Sequence, residues 1–133
     1  MKTVIADTGP LYAAIDSDDQ YHARARADLN QIETNDLKVV LAYPVFLEAY
    51  SLVLYRLGNR NARAFVRQIF EGIELINPTP KDYLAATELV ARFSDQQITL
   101  FDGITAILAN RLNLPVWTYD HHFDLMLVPV WRY

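Results

Sequence analysis

Lys2-Thr-Val-Ile-Ala-Asp-Thr-Gly-Pro10 is the segment from which the fold class can be inferred. Its apolar run at residues 4–6 ends abruptly at Asp7, which is typical of a buried strand followed by a turn. The end of such a strand lies at the carboxyl edge of a sheet, where open α/β folds bind their ligands. Asp7 has an equally good structural explanation, because its side chain or that of Thr8 could cap a helix that starts near Pro10. The choice between the two depends on what else reaches this edge.

The composition indicates one compact domain over residues 1–133, since 133 residues with a hydrophobic fraction of 52% can bury a single core. The absence of cysteine excludes disulfides and thiolate metal sites, and it is compatible with a reducing compartment. The first apolar run is too short for a signal peptide, and no run approaches the roughly 18 residues that span a bilayer. We therefore expect a soluble, cytoplasmic protein with no membrane partner.

Strand-like and helix-like segments alternate along the chain, which favours parallel strands joined by right-handed crossovers. The predicted fold class is α/β, a three-layer sandwich with a central, mostly parallel sheet of about five strands. The helix at residues 20–32 is amphipathic and carries Arg24 and Asp28 on its polar side. Strands are predicted at residues 4–6, 38–42, 73–76, 114–118 and 127–131, and the other main helices at residues 45–57, 59–70, 81–93 and 99–112.

Glu48 is the least expected charge in the sequence, because it lies in an otherwise apolar helical segment at residues 43–55. No Lys or Arg lies within four positions of it. A carboxylate that is partly buried without a partner is costly, so it needs a counter-ion from elsewhere, a proton or a wet cleft. This favours a functional role for Glu48 over that of a solvated surface glutamate.

Two further acids stand near predicted strand and helix ends. Asp102 follows Thr99 by three residues, a spacing that fits a capping box as well as it fits a functional carboxylate. Asp120 follows the fourth predicted strand and returns to the edge that carries Asp7, although Asp124 competes with it for this place. Local sequence alone does not choose between these explanations.

Strand ends and helix starts meet at one edge of a parallel sheet, so acids that are far apart in sequence can converge there. Crowded carboxylates cannot all stay ionised without a compensating cation, and hard oxygen ligands suit Mg²⁺ or Mn²⁺. The four candidate acids are Asp7, Glu48, Asp102 and Asp120. Together they carry four negative charges, which is the whole net charge of −4, so the remaining charges of the chain sum to zero. The negative net charge therefore does not exclude an RNA partner.

The chain as a whole resembles the PIN-domain ribonucleases, and specifically the VapC-like toxins of toxin-antitoxin pairs. The resemblance covers nearly all of the sequence. It implies a Mg²⁺- or Mn²⁺-dependent endoribonuclease that leaves 5′-phosphate and 3′-hydroxyl ends, forms a homodimer and is inhibited by a small cognate antitoxin. The residues that carry it are the segment 4–11, Glu48 after Pro44, Leu100-Phe101-Asp102 with Ala106 and Ala109, and Thr118, Asp120 and Phe123.

The resemblance also implies roles for single residues. Thr8 and Thr118 match positions where hydroxyl groups support the metal or its waters. Gly103 departs from the pattern, because the family commonly has Ala or another small residue there. The catalytic acids would be Asp7, Glu48, Asp102 and Asp120, with Asp7, Asp102 and Asp120 as the metal ligands.

Arg60, Arg63 and Arg67 recur at helical spacing, and Arg56 extends this basic stripe if the helix break at Gly58 is gentle. Such a stripe is often no more than a solvated helix face. The alternative is a binding surface for RNA phosphates or for an acidic antitoxin.

Other functions fit the sequence less well. A phosphatase of the haloacid-dehalogenase type would use Asp7 as nucleophile but needs a second Asp where the chain has Gly9, and no dinucleotide-binding or P-loop motif is present. His121 and His122 are adjacent, and we expect their imidazoles to diverge too far for a zinc site. A catalytically silent PIN-like module that binds RNA or protein stays open as the main alternative.

Overall fold

The computed structural model describes residues 2–132, and its centre is a parallel sheet with strand order β3-β2-β1-β4. Helices connect the strands and pack against them, so the predicted α/β sandwich with a central parallel sheet is confirmed. The strands are β1 (Thr3–Ala6), β2 (Lys38–Ala42), β3 (Glu74–Ile76) and β4 (Val116–Trp117). The helices are α1 (Thr8–Ala13), α2 (His22–Thr34), α3 (Tyr43–Leu57), α4 (Asn59–Gly72), α5 (Pro80–Ala91), α6 (Leu100–Leu112) and α7 (His122–Leu125).

Strand β1 lies in the middle of the sheet and is buried. Val4 pairs with Val39 of β2, and Ile5 pairs with Val116 of β4, both in parallel. A strand that is covered on both faces has a continuous apolar sequence, as residues 4–6 do. Asp7 follows this strand directly and so lies at the carboxyl edge of the sheet.

The predicted fifth strand at residues 127–131 is wrong, and within residues 2–132 the sheet has four strands. Only a single parallel bridge joins Val130 to Val116 of β4. Pro129 has no N–H to donate to a ladder, and Leu127 has a positive φ of 59°, which is not strand backbone. The segment therefore lies beside β4 without extending the sheet.

Several other boundaries differ from the prediction. The short apolar segment after Pro10 belongs to α1, which already begins at Thr8, and α2 begins at His22 instead of residue 20. Strand β4 contains only two of its five predicted residues. These differences shift the ends of elements and leave their order unchanged.

Helices α3 and α4 form a tight antiparallel hairpin. The turn is made at Gly58, whose φ of 87° is accessible to glycine at little cost. Phe46 near the start of α3 stacks on Phe65 of α4, with ring centroids 6.2 Å apart. The break at Gly58 is therefore sharp, and Arg56 lies on a different helix from the other three arginines. No helix within residues 2–132 combines the length and the apolar character needed to cross a membrane.

Candidate metal centre

Asp7 has both of the roles that its sequence context allowed, because it caps a helix and also lies at the carboxyl edge of the sheet. It is the N-cap residue of α1, and its Oδ1 accepts a hydrogen bond from the Thr8 amide at 2.8 Å. Its Oδ2 accepts a hydrogen bond from the hydroxyl of Thr118, also at 2.8 Å. The carboxylate is buried at the bottom of a cleft at the carboxyl edge of the sheet.

Asp102 lies in the first turn of α6 and takes part in the capping box that its spacing predicted. Its Oδ2 accepts a hydrogen bond from the Thr99 amide at 3.1 Å, and its own amide donates to Thr99 Oγ1 at 3.2 Å. The cap occupies one carboxylate oxygen and leaves the other free. Asp102 is only 9% exposed, and it lines the same cleft as Asp7.

Asp120 enters the cleft from the loop after β4, and Asp124 does not. The amide of Asp120 donates to Thr118 Oγ1 at 3.0 Å, and its Oδ1 lies 3.0 Å from Nδ1 of His122. Asp124 is exposed and pairs with Arg132 on the surface, at 3.0 Å.

These three aspartates meet. One carboxylate oxygen from each of Asp7, Asp102 and Asp120 can be chosen so that all three lie within 4.8 Å of one another. Glu48, from α3, lines the same cleft, and its Oε1 accepts a hydrogen bond from the hydroxyl of Thr8. The cleft therefore collects all four predicted acids and Thr8, while Thr118 is buried behind it and contacts Asp7.

The electrostatics of the cleft reflect this crowding. Burial, with the neighbouring charge of Asp102 as the second cause, raises the pKa of Asp7 to about 7. Burial also raises the pKa of Asp102, as does the charge of Asp120. The pKa of Glu48 is raised by burial and by the charge of Asp102. The site thus resists full ionisation in the absence of a cation.

The arginines divide between two places. Arg56 lines the cleft, and its guanidinium lies 5.1 Å from the centre of the Tyr12 ring. Arg60, Arg63 and Arg67 are exposed on α4 and do not line the cleft. The four arginines therefore do not form one continuous stripe: Arg56 belongs to the cleft, and the other three form a separate group on α4.

The expectation that His121 and His122 diverge is wrong. Their ring centroids lie 4.4 Å apart, and a nitrogen of each lies within 4.8 Å of an Asp120 oxygen. The tight turn into the short helix α7 brings the rings together.

Asp28 has a role that its local sequence does not reveal. The helical pattern predicts Asp28 on the polar side of a helix, yet this residue is only 7% exposed. Its Oδ2 accepts hydrogen bonds from Trp117 Nε1 at 3.1 Å and from the Tyr119 hydroxyl at 2.6 Å. No local pattern signals this, because both donors lie about 90 residues further along the chain.

Comparisons with known proteins agree with the architecture. The sequence model described as "PIN domain" matches residues 4–126. No curated protein matches the chain significantly in sequence. Among solved structures, VapC20 of Mycobacterium tuberculosis, described as a toxin that cleaves the sarcin-ricin loop, has a TM-score of 0.85 at 17% identity, covering 98% of this chain and 99% of that one.

Two further solved structures share the fold. VapBC2 of Rickettsia felis, bound to a DNA fragment from its promoter, has a TM-score of 0.74 at 15% identity, with 96% of each chain covered. VapBC-1 of nontypeable Haemophilus influenzae has a TM-score of 0.68 at 12% identity, covering 97% of this chain and 96% of that one. At these identities the likeness establishes the fold.

Proposed function

We propose that this chain, which belongs to the PIN domain family, is a divalent-metal-dependent endoribonuclease and the toxin of a toxin-antitoxin pair. The observation that carries the proposal is the convergence of Asp7, Asp102 and Asp120 within 4.8 Å at the bottom of an open cleft. Buried carboxylates that repel one another cost folding free energy, so a protein that gathers them needs a use for them.

The donor set fits a hard divalent cation. All three acids offer carboxylate oxygens, which suit Mg²⁺ or Mn²⁺ better than softer metals. Burial and the charge of Asp102 raise the pKa of Asp7 to about 7, so a bound cation would favour the ionised form of Asp7. Asp7, Asp102 and Asp120 would hold the ion, which when bound polarises the phosphoryl oxygens of RNA and acidifies a water for in-line attack.

Other polar groups at the site would orient the metal-binding acids, the attacking water and the RNA. Thr118 donates to Asp7 and accepts from the Asp120 amide, so it fixes two of the acids relative to each other. Glu48 uses Oε1 to accept from Thr8, which leaves Oε2 free to orient the attacking water. Arg56, at the cleft, is placed to contact an RNA phosphate.

Partners follow from the same reasoning. The exposed basic face of α4, formed by Arg60, Arg63 and Arg67, offers a surface for further RNA phosphates or for an acidic antitoxin. The similar fold of VapC20, described as a toxin, supports a toxin role and hence a cognate antitoxin. We also propose that the protein acts in the cytoplasm, and that it forms a homodimer, as its resemblance to VapC-like toxins implies.

The test is cleavage of labelled RNA by the purified protein with Mg²⁺ or Mn²⁺ and with EDTA. We expect cleavage only with metal, products that carry 5′-phosphates, and a loss of at least about a hundredfold in Asp7→Asn, because the substitution removes a metal ligand. Asp124→Asn is the matched control, since Asp124 lies only four residues after Asp120, in α7, but pairs with Arg132 on the surface.

Undiminished cleavage by Asp7→Asn would contradict the proposed site. RNA binding without cleavage by the wild-type protein would favour the second candidate, a catalytically silent module. Mapping new 5′-phosphate ends in cellular RNA after brief expression would identify the target.

A further inference from the structure

The carboxylate of Asp28 lies outside the cleft, yet it binds both neighbours of Thr118, a buried residue that contacts two acids of the cleft. Asp28 projects from α2 and is buried, and its Oδ2 accepts from Trp117 Nε1 at 3.1 Å and from the Tyr119 hydroxyl at 2.6 Å. Trp117 is the last residue of β4, and Tyr119 follows two residues later. One carboxylate thus fixes the chain on either side of Thr118.

Thr118 is the residue that joins two of the acids. Its hydroxyl donates to Asp7 Oδ2 at 2.8 Å and accepts from the Asp120 amide at 3.0 Å. Because side chains alternate along extended backbone, Trp117 and Tyr119 can turn towards Asp28 of α2 while Thr118 turns towards Asp7. The position of the Thr118 hydroxyl therefore depends on how firmly its two neighbours are held.

The surroundings of Trp117 and Tyr119 leave their hydrogen-bond donors few acceptors other than Asp28. Trp117 is buried, so its indole N–H would lose its acceptor if Asp28 were removed. Tyr119 is covered by Arg24, whose guanidinium lies 4.4 Å from the ring centre, and it packs against Tyr21 at 4.9 Å between centroids. The Tyr119 ring is therefore confined, and its hydroxyl faces Asp28.

We infer that Asp28 is a positioning residue for the proposed metal centre. Through Trp117 and Tyr119 it holds Thr118, and Thr118 sets the placement of Asp7 relative to Asp120. This inference rests on the function proposed above in so far as the aligned acids bind a cation. Hydrogen-bonding partners behind metal ligands commonly alter metal affinity, which is the effect expected here.

A purely stabilising role would predict something different. A buried hydrogen-bonded aspartate can be replaced at a cost in folding free energy that spreads over the whole domain. Asp82 provides the comparison, because it is also a buried aspartate, at 3% exposure, and its partner Arg111 lies at the far end of α6 from Asp102. Replacing Asp82 removes a buried carboxylate without touching β4 or the loop that follows it.

The experiment compares wild type, Asp28→Leu, Asp28→Asn and the control Asp82→Leu. Mn²⁺ binding is measured by electron paramagnetic resonance without RNA, and hydrogen exchange of the Asp120 amide is measured by NMR without metal. We expect Asp28→Leu to weaken Mn²⁺ binding at least about tenfold and to accelerate Asp120 exchange by about as much. Asp28→Asn retains an oxygen acceptor and should stay within about threefold of wild type in both.

The control and a milder variant keep the inference testable if Asp28→Leu does not fold. Tyr119→Phe removes only one of the two donors and should still accelerate Asp120 exchange by roughly threefold. Asp82→Leu should lower thermal stability and leave Mn²⁺ affinity unchanged. Wild-type affinity and exchange in Asp28→Leu and in Tyr119→Phe, or an equal loss in Asp82→Leu, would overturn the inference.

The exchange measurement also separates this inference from the proposed function. If the wild-type protein neither binds Mn²⁺ nor cleaves RNA, the nuclease proposal fails. Faster Asp120 exchange in Asp28→Leu and Tyr119→Phe would then still support the positioning role, and unchanged exchange in both would refute it.

Discussion

The starts of α5 and α6 carry the same local motif and end in opposite electrostatic environments. Thr79 and Asp82 form a capping box at α5, and Thr99 and Asp102 form one at α6. In each box the threonine hydroxyl accepts from the aspartate amide and the aspartate Oδ2 accepts from the threonine amide, at 2.8 to 3.2 Å. Both aspartates are buried.

The difference lies in what reaches each carboxylate from elsewhere in the chain. Arg111 of α6 forms two hydrogen bonds with Asp82, at 2.9 and 2.8 Å, and it lowers the pKa of that carboxyl. Asp102 instead faces Asp7 and Asp120, and its pKa is raised. A capping box thus determines where a helix begins. The charged groups that the tertiary fold brings to the aspartate of the box determine whether that aspartate is structural or available for chemistry.

The strongest test of this comparison exchanges each aspartate for its amide. Asp102→Asn should reduce metal-dependent RNA cleavage by at least about a hundredfold, because it removes a metal ligand while an amide can still accept the cap hydrogen bond. Asp82→Asn should leave cleavage within about twofold of wild type, although it loses about 2 kcal/mol of stability through its bonds with Arg111. Initial rates with labelled RNA and denaturation curves measure the two effects. Equal losses of cleavage in both variants would abolish the distinction.

A second test uses the pH dependence of the metal-free protein. The pKa of Asp7 is about 7 in the folded protein against an ordinary 3.8, so between these values the folded state binds more protons than the unfolded chain. The free energy of unfolding should therefore fall as pH rises from about 4 to about 7, by up to about 4 kcal/mol from this residue. The lowered pKa of Asp82 acts in the opposite direction, and its stabilisation is lost only as pH falls below the ordinary aspartate range.

Urea unfolding in EDTA at several pH values measures this slope. Asp7→Asn should flatten it and be more stable than wild type near pH 8, and Mn²⁺ should stabilise the wild type there but not the variant. Identical slopes for wild type and Asp7→Asn would show that Asp7 titrates normally.

The smallest expected effect concerns the residue after each aspartate. Gly103 follows Asp102, and a Cβ at that position would come within 2.7 Å of Val90 Cγ2 and 3.1 Å of the Ala86 carbonyl oxygen. Gly103→Ala should therefore cost about 1 kcal/mol net, because overpacking against α5 outweighs the gain in helix propensity. Tyr83 holds the same place after Asp82 and is exposed, so Tyr83→Ala should change stability by less than about 0.5 kcal/mol. Stabilisation by Gly103→Ala in thermal unfolding would refute the packing argument.

The structure explains why glycine occupies position 103, where the family commonly has alanine or another small residue. Glycine is a poor helix former, so the local sequence by itself predicts a looser start of α6 at Gly103. The structure instead shows that α5 approaches the first turn of α6 so closely that a methyl group has no room. Such an approach depends on Val90 and Ala86, which no local pattern around Gly103 could reveal.

Much of the fold was predictable because it depends on local and periodic signals. The buried strand β1, the alternation of strands and helices and the cap at Asp102 all follow from apolar periodicity and turn chemistry. The fifth strand was a wrong prediction because an apolar run indicates burial, whereas strand pairing also needs donors, and Pro129 provides none. The sharp turn at Gly58, which separates Arg56 from the arginines of α4, depends on the packing of Phe46 against Phe65.

The order of the elements can be inferred from the sequence, as can the acids that follow strand ends or begin helices, because short stretches of chain encode both. The tertiary fold is needed to show that Asp102 has acids as neighbours while Asp82 has an arginine, and that Asp28 is buried against Trp117 and Tyr119 instead of solvated. A carboxylate takes its hydrogen bonds and charge partners through space, from residues dozens of positions away, and no local pattern encodes them.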